Sequence, residues 1–118
     1  MTKTVALTQN RALSVRQPFA EQIMRGTKKI EYRSIVTNIR GRVYIYASLK
    51  PKIEAFKKMG REPGDFPVGV LVGTVEVTGC EDKPKSYEWT LAKPQRLKKL
   101  IKPETHPQPV WFKPFKEK

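Results

Sequence analysis

Short apolar stretches, separated by polar residues and turn signals, recur along this chain, and their spacing predicts its secondary structure. Residues 12–15 (ALSV) predict a strand that ends at a Gln-Pro pair. Residues 18–25 then place four apolar side chains on one face at helical spacing, with Pro18 in the first turn and Gly26 just beyond the end. We therefore predict a short helix over 18–25.

The next segment, residues 29–33 (KIEYR), alternates polar and apolar side chains, the period of a half-buried strand. Because apolar side chains are expected on the buried face, we predict that Ile30 and Tyr32 point into the core. Glu31 and Arg33 would then leave together on the opposite, outward face.

Most of the remaining elements are predicted to be strands, at residues 42–48, 68–79, 87–91, 96–101 and 110–112. A second helix is expected over 51–59, and Gly73, inside the longest strand, indicates a bulge or bend. Five or six short strands with two early helices predict an α+β fold that is mainly β, a small mixed barrel. The end segments, 1–10 and 113–118, are expected to be loosely held.

Length and composition indicate one domain. With 118 residues, of which 38% are hydrophobic, we expect a single domain over 1–118 with its core in about 12–112. No apolar run is long enough to span a membrane, and the N-terminus lacks the apolar stretch of a signal peptide. Cys80 is the only cysteine, which excludes an internal disulfide and favours a cytoplasmic protein.

Charge adds the first indication of function. Twenty-four Lys and Arg against eleven Asp and Glu give a net charge of +13. Residues 1–59 carry 13 basic and 3 acidic side chains, whereas residues 60–118 carry 11 and 8. An excess concentrated in one half favours a surface that meets a polyanion such as nucleic acid. A merely solvated basic surface is the alternative, and membrane binding is disfavoured because no long basic amphipathic helix is present.

Several segments resemble, in order and spacing, the ASCH family of the PUA-like superfamily. The segments are ALSVRQPFAEQIMRGTKKIEYRS, RGRVYIYAS, VGTVEVTGC, YEWTLAKPQRL and VWF, which together cover about residues 12–112. The first is the specific one: a strand, Gln-Pro, a helix that ends in Gly, a Lys two residues later, then Glu-x-Arg-Ser. The resemblance implies a PUA-like barrel of five to six strands with flanking helices, and a cleft between the first helix, the Lys-and-Glu segment and the barrel wall.

The resemblance also implies function. ASCH-like proteins are proposed to bind RNA, and certain small bacterial relatives are amidohydrolases that remove the acetyl group from N4-acetylcytidine with a Lys, a Thr and a Glu. The motif places that Lys on Lys28 and that Thr on Glu31, and it leaves the third group unplaced, with Glu76 and Glu88 as candidates. A carboxylate at position 31 would have to act as a base toward water, which differs from attack by a Thr hydroxyl.

The candidate ligand-binding residues, of which Lys28 and Glu31 are also the candidate catalytic residues, are Arg16, Gln17, Lys28, Glu31, Arg33, Ser34, Tyr46 and Ser48. A Glu can accept a hydrogen bond from a base amine, while Lys and Arg hold phosphate or a base carbonyl. The alternatives are a local ion-pair network for Lys28, Glu31 and Arg33, a buried side chain that bonds loop backbone for Gln17, and core packing for Tyr46.

A secondary basic patch is expected near the C-terminus, at Arg96, Lys98, Lys99 and Lys102. Such a cluster neutralises phosphates without recognising sequence. His106 and Cys80, one of each, cannot complete a zinc site, and no phosphate-binding Gly motif exists, so no metal and no cofactor are expected.

The sequence thus favours an RNA- or nucleotide-binding domain with a basic ligand cleft next to the barrel. The alternatives are a small amidohydrolase acting on an acetylated cytidine-type nucleoside, and an adaptor domain that binds an acidic protein.

Overall fold

The computed structural model describes residues 7–117, which form six strands, two α-helices and one short 3-10 turn. The elements are β1 (Ala12–Arg16), α1 (Phe19–Arg25), β2 (Ile30–Arg33), β3 (Gly41–Ser48), α2 (Ile53–Met59), the 3-10 turn (Pro63–Asp65), β4 (Val70–Asp82), β5 (Tyr87–Ile101) and β6 (Trp111–Phe112). The prediction of a mainly β fold with two early helices is confirmed.

The six strands form one curled sheet, an incomplete barrel, in the order β2-β5-β4-β3-β1-β6. β1 runs parallel to β3, and the other neighbouring pairs are antiparallel. β6 pairs only with Ala12 and Leu13 of β1. The second half of β1 therefore has an edge without a strand partner, and this edge lies toward β2.

The core lies inside the curl, where α1 packs against the sheet. Ala20 and Ile23 of α1 are buried among the valines of β3 and β4 and the Leu13 side chain of β1. Trp89 is fully buried and its ring stacks on that of Trp111, with 5.6 Å between ring centroids and 10° between planes. These apolar contacts fix α1 against the sheet and beside β1, which positions the site described below.

β5 is one long strand where the sequence predicted two, at 87–91 and 96–101. In the β4–β5 ladder Glu76 lies opposite Ala92, and Thr74 lies opposite Gln95, so two residues of β5 face one of β4. Pro94 lies in this bulge, where its missing N–H leaves no ladder hydrogen bond unmade. The proline therefore bends the strand without ending it.

The predicted irregularity at Gly73 is confirmed, since the register of β4 against β5 shifts between Leu71 and Gly73. A Cβ atom built on Gly73 would meet the Met24 sulfur of α1 and would lie 2.5 Å from the Gln95 carbonyl oxygen. The glycine is therefore required for the close approach of α1 to the sheet.

The expectation of loose ends is wrong for Asn10 and Phe115, which hold each other, and residues 1–6 lie outside the described range. The Asn10 side-chain amide donates to the Phe115 carbonyl oxygen at 2.8 Å and accepts from the Phe115 N–H at 3.0 Å. The Phe115 ring packs edge-on against Tyr44. Between residues 7 and 117, no helix has both the length and the apolar character needed to cross a bilayer.

Candidate nucleic-acid interface

An open cleft lies between α1, β1 and β2 at the unpaired edge of β1. It has a volume of about 480 Å³ and is lined by Ser14, Val15, Arg16, Phe19, Lys28, Glu31, Tyr32 and Arg33. We call it the β1–β2 cleft. Four of the residues predicted to bind ligand, Arg16, Lys28, Glu31 and Arg33, meet in it.

The end of α1 places Lys28 at this cleft. Gly26 adopts the left-handed conformation that ends the helix, at φ +79°. The backbone N–H groups of Thr27 and Lys28 then both donate to the Gln22 carbonyl oxygen, at 3.0 and 3.1 Å. The chain therefore turns sharply, and the Lys28 ammonium lies 5.3 Å from the centre of the Phe19 ring and 5.2 Å from that of Tyr32.

A buried carboxylate lies between two cations on the floor of the cleft. Glu31 Oε2 accepts hydrogen bonds from Arg33 Nε, at 2.9 Å, and from Arg33 Nη2. Glu31 Oε1 lies 3.5 Å from the Lys28 ammonium, an ion pair without a short hydrogen bond. Arg33 also lies over the face of the buried Trp89 ring, 5.7 Å from its centre. Oε1 therefore keeps capacity to accept a hydrogen bond from a ligand.

The predicted orientation of β2 is wrong. Glu31 is 7% exposed. Tyr32, whose side chain was predicted to enter the core, is 57% exposed. The alternation along the strand is as expected, but the buried face is the polar one. It can be buried because Lys28 and Arg33 pair with the carboxylate, so no charge is left alone inside.

A second cavity, of about 490 Å³, adjoins the first. It is lined by Ser14, Arg16, Tyr46, Ser48, Leu49, Lys50, Pro107, Gln108 and Pro109, and we call it the Tyr46 pocket. The Ser14 hydroxyl donates to the Gln108 carbonyl oxygen at 2.6 Å, which holds the 107–109 loop over β1. Burial raises the pKa of Tyr46. The predicted ligand residues Tyr46 and Ser48 therefore lie beside the β1–β2 cleft and not inside it.

The sequence of this chain matches a known protein family. A model of the ASCH domain matches residues 13–115 of the chain. This chain belongs to the ASCH family. The match includes both cavities and every strand except the first residue of β1.

Two curated relatives are similar to part of this chain. Activating signal cointegrator 1 of Homo sapiens is 36% identical over 80 residues, which are 58% of this chain and 14% of that protein. Activating signal cointegrator 1 of Mus musculus is 35% identical over 88 residues, 64% of this chain and 15% of that protein. The ASCH chain thus spans only a small part of the length of these relatives.

Two predicted ligand residues of the ASCH domain lie elsewhere. Gln17 is fully buried: its amide donates to the Pro67 carbonyl oxygen at 2.8 Å and accepts from the Glu21 N–H at 2.9 Å. It therefore caps the first turn of α1, which matches the alternative of a buried side chain bonding backbone groups. Ser34 is exposed in the turn after β2 and lines neither cavity.

The predicted secondary basic patch is divided. Arg96 Nη1 and Nη2 donate to the two carboxylate oxygens of Glu21, at 2.8 and 2.6 Å, and Arg25 donates to the same carboxylate. Hydrogen bonding to Arg96 holds the pKa of Glu21 below its ordinary value, although burial acts in the opposite direction. Lys98, Lys99 and Lys102 are exposed. The charge of Arg96 is thus compensated within the protein.

Several residues that line the two cavities are not indicated by any pattern in the sequence. Ser14, Phe19 and Tyr32 border the β1–β2 cleft, and Pro107 to Pro109 close one side of the Tyr46 pocket. The loop residues lie more than ninety positions from Ser14 along the chain, so no local pattern indicates the contact. Among residues 7–117, no group of three or more His, Cys, Asp and Glu side chains is placed to hold a metal.

Proposed function

We propose that this ASCH domain binds single-stranded RNA, or a nucleotide of it, in the β1–β2 cleft. The observation that carries the proposal is the Glu31 carboxylate, buried between Lys28 and Arg33 on the floor of an open cleft. Glu31 Oε1 is available to accept from the exocyclic amine of a base. Lys28, and Arg16 at the rim, supply positive charge for phosphate or base carbonyl oxygens.

The electrostatic balance of the cleft supports a polyanionic ligand. Three cations, Arg16, Lys28 and Arg33, line the cleft together with the single carboxylate of Glu31. The cleft also lies in the half of the chain that carries 13 basic and 3 acidic side chains. A concave site with excess positive charge attracts phosphate and raises the association rate.

Aromatic side chains at the rim favour a single strand over a duplex. The Tyr32 ring is largely exposed, and Phe19 lies on the other side of Lys28. Unstacked bases can stack on such rings, at about 1–3 kcal/mol each, whereas bases in a duplex cannot reach them.

The amidohydrolase alternative requires Glu31 to act as a base toward water, because no Thr hydroxyl stands at this position. Glu31 Oε2 is already engaged by two N–H groups of Arg33. Because the Thr nucleophile is absent, we propose binding without chemistry, and turnover of N4-acetylcytidine is the measurement that tests this choice.

The test is the affinity for labelled single-stranded RNA, measured by fluorescence anisotropy across a salt series. If three cations release counterions, log K should fall with log salt with a slope of about −2. Duplex RNA of the same sequence should bind more weakly, and polyglutamate should compete poorly. No binding at low salt would refute the proposal, and equal competition by polyglutamate would favour the acidic-protein adaptor.

A further inference from the structure

We infer that the Tyr46 pocket is a second base-binding subsite, so that the ligand is at least two consecutive nucleotides of a single strand. The inference rests on the proposed function, since it assumes that a first nucleotide occupies the β1–β2 cleft. It assigns a role to the Tyr46 pocket, which takes no part in binding the first nucleotide.

The two cavities are continuous. Ser14 and Arg16 line both of them. Because side chains alternate along a strand, these two residues of β1 project from the same face and are about 6.6 Å apart along it. A ligand chain that leaves the β1–β2 cleft across this ridge therefore enters the Tyr46 pocket directly.

Arg16 is held at the boundary. Its Nε donates to the Lys50 carbonyl oxygen at 2.8 Å, and its Nη2 donates to the Pro51 carbonyl oxygen at 3.0 Å. Its Nη1 makes no hydrogen bond with residues 7–117, and the side chain is exposed. The guanidinium is thus fixed between the cavities with a donor left over, in position for the phosphate that joins two nucleotides.

The pocket presents a phenolic hydroxyl group to a ligand. Tyr46 is 4% exposed and lines the pocket, and its hydroxyl makes no hydrogen bond with any residue of the described range. Its ring is fixed edge-on against Phe112, with 5.3 Å between centroids. A phenolic hydroxyl can both donate and accept a hydrogen bond, so this group is available to the edge of a base.

The remaining walls fit a flat heterocycle. Leu49 and the prolines at 107 and 109 supply apolar surface, and Ser48 adds a second hydroxyl. Leu49 is 68% exposed at the rim, so its side chain is accessible to a ligand. The nine lining residues include Arg16 and Lys50 but no acidic side chain. An apolar cavity with a few polar groups and adjacent cations suits a base attached to phosphate better than an acidic peptide segment.

The experiment removes the second base while the phosphates are kept. Calorimetry compares 5′-phosphorylated dinucleotides with nucleoside 3′,5′-bisphosphates, for each of the four bases in the first position. We expect the best dinucleotide to bind at least tenfold more tightly than its bisphosphate. Tyr46→Phe, which removes only the hydroxyl, and Leu49→Glu, which puts an anion at the rim, should reduce that ratio at least threefold.

Ile53→Glu is the matched control. It makes the same change at an exposed apolar residue that lines neither cavity, so it should leave the ratio unchanged. Each variant is first checked for an unchanged melting temperature, and Leu49→Glu serves if Tyr46→Phe unfolds. Equal affinity for dinucleotide and bisphosphate, with no effect of either pocket variant, would overturn the second subsite. If Lys28→Ala still weakened binding of the bisphosphate, the proposed function would stand without the second subsite. If neither the dinucleotide nor the bisphosphate bound, the proposed function and the second subsite would both be refuted.

Discussion

Arg33 Nη2 donates a hydrogen bond of 2.8 Å to the main-chain carbonyl oxygen of Ser14. A side chain of β2 thereby joins β1 at the edge where β1 has no strand partner. The same guanidinium holds Glu31, so the closure of the curled sheet and the placement of the buried carboxylate depend on one residue.

We expect Arg33→Lys to lower both the stability of the fold and its affinity for RNA. A lysine has one compact ammonium and cannot bond Ser14 and Glu31 in the same geometry. The loss of charge-assisted hydrogen bonds should reduce the free energy of unfolding by about 1.5–3 kcal/mol, measured by urea titration. The Arg40 guanidinium donates only to carbonyl groups of its own loop. Arg40→Lys should therefore change the free energy of unfolding by less than about 0.5 kcal/mol.

Lys28→Ala and Glu31→Ala should each weaken RNA binding by about 1.5–3 kcal/mol, since each removes one member of a charge-assisted set in the cleft. Lys98→Ala and Lys99→Ala remove the same charge as Lys28→Ala from exposed positions. These two should weaken all RNAs evenly and lower the salt slope by less than about 1. Anisotropy titrations of the four folded variants decide this, and if the cleft variants bind like wild type, Lys28 and Glu31 form only an ion pair.

Glu31→Thr tests whether the cleft is that of an amidohydrolase that lacks its nucleophile. The resemblance places a catalytic Thr at this position, and Lys28 is already present beside it. We expect no turnover of N4-acetylcytidine by the wild-type domain and measurable turnover by Glu31→Thr, followed by chromatographic separation of cytidine. Activity in the wild type would contradict the proposal of binding without chemistry.

The Glu21–Arg96 pair should make stability depend on acid pH. Because the pKa of folded Glu21 lies below its ordinary value of 4.5, the pair stabilises the fold fully above that pH. This contribution is lost as pH falls through the folded pKa, and it should amount to only about 1 kcal/mol because Arg96 is half exposed. Glu21→Gln should therefore destabilise at pH 7 and flatten the fall in melting temperature between about pH 5 and pH 3. An unchanged pH profile would show that Glu21 contributes nothing.

Gly73→Ala should destabilise the fold by about 1–3 kcal/mol, because the new methyl group would overlap with Met24 and the fixed Gln95 carbonyl oxygen. Gly79→Ala is the matched control on the same strand. Its Cβ atom would lie 3.7 Å from Thr90 Oγ1, an ordinary contact, so it should change stability by less than about 1 kcal/mol. Urea titrations of the two variants should separate them; equal effects would show that α1 shifts without cost.

The sequence by itself determined most of the helices and strands and the resemblance to the family. Helical spacing and the terminal Gly26 placed α1 within one residue, because helix ends depend on local backbone conformation. The sequence also predicted that Lys28, Glu31 and Arg33 lie together, since they are neighbours on one short segment. The long β5 was divided in two because Pro94 breaks a ladder in most contexts, and only the bulge opposite β4 allows it.

The tertiary structure decided which face of β2 is buried. Periodicity shows that Glu31 and Tyr32 point in opposite directions, but the direction that is inside depends on partners from other elements. The cations of Lys28 and Arg33 compensate the charge of the buried Glu31, and the Ser14 carbonyl oxygen holds Arg33 in place. Tyr32 lies at the rim of the cleft, in contact with water. The Tyr46 pocket likewise exists only because a loop near the C-terminus lies over β1, a contact between residues far apart in sequence.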